Sequence, residues 1–107
     1  MCTAAKKYVN LLLVRMVQEK QLEVTILADS VLLDYVNLDW RKEFRKNREE
    51  VKFEDVLNRL KFMANRATAQ NIKSEGEFQL THNDRSFGVY LSIGPNDKWF
   101  TLKLKEV

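Results

Sequence analysis

Apolar residues recur at helical spacing from the start of the chain. Ala4, Ala5, Tyr8, Val9, Leu12, Leu13, Met16 and Val17 cover a wide arc over residues 3–20, and Leu11 and Val14 extend it. Thr3 is a suitable N-cap. A helix this apolar nearly all round has two uses, as a central buried element or as a homodimer seam. Leu22 to Ile26 then alternates with β-branched content and predicts a brief extended segment. A second helix is expected over about 26–38, capped by Thr25 or Ser30, with Leu27, Val31, Leu32, Tyr35, Val36 and Leu38 as apolar positions. Residues 39–52 are highly charged and read as a solvated helix terminus running into a loop near Asn47. The clearest periodicity follows. Phe53, Val56, Leu57, Leu60, Met63, Ala64 and Ala67 form one stripe, predicting a helix over 54–72, and Glu54 and Asp55 sit where its dipole favours acids.

The pattern then changes period. Every glycine (Gly76, Gly88, Gly94) and the only proline (Pro95) fall after residue 75, where alternation replaces the helical stripe. A two-residue turn at Asn83-Asp84 sets Leu80 opposite Phe87 and Phe78 opposite Val89. A four-residue connection at Gly94 to Asp97 sets Leu91 opposite Phe100, Val89 opposite Leu102 and Phe87 opposite Leu104. Both turns place the same apolar residues on one face. The other face then carries Gln79, Thr81, Tyr90, Ser92, Trp99, Thr101, Lys103 and Lys105. The expected fold is α+β: three N-terminal helices packed on one face of a C-terminal three-stranded antiparallel meander. It forms a single domain over 1–107, mainly helical over 1–75 and β-meander over 76–107.

Composition adds little until charge is divided along the chain. The net +3 arises in the middle: residues 40–74 carry ten Lys/Arg and five Asp/Glu. From Val56 to Ser74 there are four basic residues and no acid. On the helix over 54–72, Arg59, Phe62, Arg66 and Lys73 cluster away from the apolar stripe. An aromatic between arginines suits phosphate contact plus base or sugar packing. Burial of Phe62 against the first helices is the competing reading. The run WRKEFRKNR at 40–48 adds Arg41, Lys42 and Arg45, which extend that surface only if they face the same way.

The order helix, short strand, helix, basic helix, hairpin resembles a winged helix-turn-helix domain. The resemblance implies that 54–72 is a recognition helix in the major groove and 77–93 a wing, with Arg85 near its tip as a backbone or minor-groove contact. The function expected is therefore a small, non-catalytic nucleic-acid-binding regulator, with DNA favoured over RNA. The alternative is a protein-interaction module that docks through the first helix or through Tyr90, Trp99 and Lys103, where large aromatics serve as anchors.

Enzyme patterns are absent from the sequence. His82 is the only histidine and Cys2 the only cysteine, and no GxSxG, Walker, CxxC, HExxH or DxDxDG pattern occurs. No cofactor or metal is expected. The lone cysteine excludes an intrachain disulfide and fits a reducing compartment. Residues 8–17 are interrupted by Arg15 and too short to span a bilayer, so the expectation is a cytoplasmic protein without a membrane partner.

Overall fold

The computed structural model describes residues 3–28, 51–68 and 74–107. In chain order these form α1 (Thr3–Gln18), β1 (Glu23–Leu27), α2 (Phe53–Thr68), β2 (Glu75–His82), β3 (Arg85–Ile93) and β4 (Trp99–Glu106). A 3-10 turn, Pro95–Asp97, joins β3 to β4. The four strands make one antiparallel sheet in the order β1-β4-β3-β2. The fold is α+β, with two helices among the described residues.

Alternation dictates which side of the sheet is dry. Val24 and Ile26 on β1, Phe78 on β2, Phe87 to Ile93 at every second position on β3, and Phe100, Leu102 and Leu104 on β4 are all buried. They join Ala4, Ala5, Tyr8, Val9, Leu12, Leu13 and Met16 of α1 and Val56, Leu57, Leu60 and Ala64 of α2 in one core. Both helices therefore bury their apolar stripes against the same sheet face. Phe53, at the start of α2, tilts against Phe100 with ring centroids 5.4 Å apart. The first helix is used within the chain, and its all-round apolar character reflects contact with both α2 and the sheet.

α1 ends by a definite device. Gln21 N–H donates to Met16 C=O at 2.9 Å and Lys20 N–H to Val17 C=O at 3.3 Å, with Lys20 in the left-handed region at φ 55°. This is the Schellman pair of bonds, formed here with lysine where glycine is preferred.

Three sequence expectations need correction. The sheet has four strands because Glu23–Leu27 pairs with β4, Val24 opposite Leu102 and Ile26 opposite Phe100. The helix expected over 26–38 begins in this strand at Ile26 and Leu27, Ala28 follows as a turn, and residues 29–38 lie outside the described residues. Three helices are thus not what the described residues contain.

The third correction concerns register. The Asn83-Asp84 turn pairs Leu80 with Phe87 and Phe78 with Val89, as expected, both turn residues having positive φ. The second connection is shifted by one residue. Gly94 N–H donates to Trp99 C=O at 2.9 Å, leaving Pro95 to Lys98 as the four linking residues. Leu91 therefore faces Leu102, Val89 faces Leu104, Phe87 faces Glu106 and Ile93 faces Phe100. Moving a four-residue loop by one position changes the pairing by two, so every side chain keeps its face. Agreement of faces was blind to this error. The loop settles where Trp99 can lie across Gly94: a methyl built on Gly94 would come within 2.5 Å of Trp99 Cδ2.

Candidate nucleic-acid interface

α2 positions the basic candidates. Its stripe of Val56, Leu57, Leu60 and Ala64 is driven into the core, so the positions between them turn outward. Phe62 is 42% exposed, which rules out its burial against α1. The Arg59 guanidinium carbon lies 5.5 Å from the Phe62 ring centroid, a cation–π distance. Arg66 is exposed one turn further along the same side. Arg59 itself is partly buried, with its guanidinium over the phenyl ring. The three residues form a continuous strip of guanidinium, aromatic ring and guanidinium.

Lys61 has a different duty. Its Nζ donates to Asp97 Oδ2 at 3.0 Å, which ties α2 to the β3–β4 connection. Arg41, Lys42, Arg45 and Lys73 lie outside the described residues.

Arg85 is brought to the hairpin end, as the sequence implied, but its guanidinium is engaged. It donates to both carboxylate oxygens of Glu106, Nε to Oε1 at 3.1 Å, and its carbon lies 5.3 Å from the Phe87 ring centroid. The pair raises the Arg85 pKa and holds the Glu106 carboxyl below its usual range, chiefly through the hydrogen bonds and then their mutual attraction. Partnership with Glu106 follows from the actual β3–β4 register, which sets Phe87 opposite Glu106. The shifted register expected from sequence hid it.

The second candidate set lies on the other side of the molecule. Tyr90 and Lys103 are neighbours across β3 and β4 on the sheet face that the helices leave open, and Trp99 lies at one end of that face. The face is mixed in charge: Glu23, Glu75 and Glu77 accompany Lys103 and Lys105. Tyr90 donates its hydroxyl to Glu75, and this bond, with partial desolvation and the charges of Glu75 and Glu77, raises the phenol pKa. Thr25 and Thr101 share a hydroxyl hydrogen bond of 2.8 Å, and Thr101 is buried although it lies on the outer side. Glutamates at this spacing make the face less favourable to a phosphate backbone than the outer side of α2.

His82 lies beside Asn83, with 3.3 Å between its ring Nε2 and the side-chain amide. Among the described residues no three His, Cys, Asp or Glu side chains converge as a metal site, and no helix is long and apolar enough to cross a membrane. The chain matches no known protein-family model, and no curated protein or solved structure is significantly similar to it.

Proposed function

We propose that this chain is a small non-catalytic nucleic-acid-binding regulator that applies the outer side of α2 to a phosphate backbone. The observation that carries the reading is the exposure of Phe62 between Arg59 and Arg66, on a helix without an acid beyond Asp55. A half-exposed phenyl ring between two arginines offers an apolar surface on which a partner can pack. A sugar or base edge supplies that packing while the guanidinium groups neutralise phosphates. Duplex DNA is the preferred target, because a helix of sixteen residues fits a major groove. Arg41, Lys42, Arg45 and Lys73 would extend the contact.

In a winged-helix arrangement α2 would be the recognition helix and the β2–β3 turn the wing. Arg85 would then have to leave Glu106 before touching a phosphate, so the hairpin is the subordinate part of the proposal. The helix is the main one.

The test is fluorescence anisotropy with labelled duplex DNA and a matched RNA. Phosphate contacts from Arg59, Arg66 and Lys73 imply affinity falling roughly 40-fold between 50 and 200 mM salt. Arg66→Glu should abolish binding and Phe62→Ala should weaken it, with circular dichroism unchanged. No binding at low salt, or binding indifferent to both substitutions, would refute the proposal.

A further inference from the structure

The open sheet face carries a charge pattern that the strand register makes explicit. One row across the strands reads Glu23, Lys103, Tyr90, Glu77, and the adjacent row reads Lys105, Gly88, Gln79. Lysines thus run along β4 and glutamates along β2, one strand to either side of β3. With strands about 4.8 Å apart, the two charge lines are about 10 Å apart. Lys103, Lys105 and Glu77 enter no ion pair among the described residues, although all three are exposed. Between the lines lies a groove of about 1080 Å³ with Gly88 in its floor. A methyl added at Gly88 would meet only the Lys105 carbonyl oxygen, at 3.8 Å.

We propose that a second copy of this chain covers this face, sheet against sheet, about a two-fold axis running along β3. Such an axis exchanges the two sides of β3 and keeps position along the strands. Lys103 of each copy then lies over Glu77 of the other, and Lys105 over Gln79. Gly88 opposes Gly88, and the two Tyr90 rings flank the axis. The alternative two-fold, lying across the strands, sets lysine over lysine and glutamate over glutamate. Charge therefore selects one of the two face-to-face arrangements. The interface is isologous, so each attractive pair occurs twice.

Three overlapping strands of eight residues cover about 14 by 26 Å, roughly 360 Å² per copy, which is less than half the about 800 Å² per partner of a standard specific interface and makes the dimer a weak, transient one. The proposal is independent of nucleic-acid binding, because α2 lies on the opposite side of the sheet.

Sedimentation velocity from about 1 to 200 µM tests it. The unmodified chain should pass from monomer to dimer over this range, with the dimer weakening as salt rises. Lys103→Glu alone and Glu77→Lys alone each place like charges in contact twice and should be monomeric. Mixed together, the two variants again oppose an acid with a base at both contacts, one of them with its charges exchanged, and should form a heterodimer. Gly88→Trp, which fills the groove without altering charge, should also be monomeric. Circular dichroism establishes that each variant is folded. A chain that stays monomeric at the highest concentration overturns the proposal. So does a dimer that survives both charge reversals and Gly88→Trp, or a mixture that fails to associate.

Discussion

Replacing Gly94 by alanine isolates one contact whose consequence can be worked through. The backbone there is ordinary for alanine, with φ −76° and ψ 173°, so any cost comes from space alone. The added methyl would lie 2.5 Å from Trp99 Cδ2 and nearer still to Cε2 and Nε1, against a carbon contact distance of about 3.5–4.0 Å. The indole must lift by more than an ångström or swing into water. Swinging out re-exposes roughly 60–100 Å² of ring, about 1.5–2.5 kcal/mol. Reduced freedom of the unfolded chain returns about 0.5–1 kcal/mol. The net loss is about 0.5–2 kcal/mol, or roughly 2–9 °C in Tm. Urea unfolding followed by circular dichroism reads the stability. In a Trp40→Phe background Trp99 is the only tryptophan, and its fluorescence should shift to the red. Gly88→Ala, where the methyl meets only the Lys105 carbonyl oxygen at an ordinary 3.8 Å, is the control and should gain about 0.5–1 kcal/mol from the same unfolded-state effect. Stability at or above that of the parent, with unchanged emission from Gly94→Ala, would refute the packing argument.

Two further outcomes follow from local geometry. Lys20 occupies the left-handed C′ position of α1, so Lys20→Gly should raise stability by about 1 kcal/mol in chemical denaturation, and a loss would show that the lysine side chain contributes there. Glu106 has a folded-state pKa below its unfolded value, so its contribution is present above the unfolded carboxylate range and disappears as pH falls through the lowered value. Glu106→Gln should therefore lower the neutral plateau of a Tm-against-pH curve and flatten its acid limb, variant and parent converging at low pH, and an unaltered curve would show that the pair has no energetic role.

The helix stripe of α2 and the inward faces of the strands were legible in the sequence because period and burial are directly linked. Face assignment depends only on odd and even position, which is why Leu91 and Leu102 were correctly placed inside despite a wrong partner. Register needs the turn itself, and here the deciding contact, Trp99 on Gly94, joins residues whose match no periodicity encodes. The pairing of Arg85 with Glu106 was lost with it. β1 was visible as a strand but not as a partner of β4, since alternation says nothing about which neighbour a strand chooses. The glycines misled in another way. The left-handed backbone positions are Lys20, Asn83, Asp84, Asn96 and Asp97, and no glycine among the described residues has positive φ. The glycines mark close approach and open floor instead. At the candidate site the residue types on α2 were readable, whereas the exposure of Phe62 depended on where α1 packs.

The pairing of β1 with β4 also bears on the order in which the molecule can form. Residues 23–27 find their sheet partner at residues 99–103, in the most C-terminal strand described. During synthesis α1 and β1 emerge long before that partner exists, and α1 lacks a completed sheet on which to bury Tyr8, Leu12 and Leu13. The β2–β3 hairpin can close locally, but joining the first elements to it requires a long loop to be brought together. Removing β4 would therefore release both ends of the fold rather than trim one, and the N-terminal helix would be the first element to become vulnerable to protease.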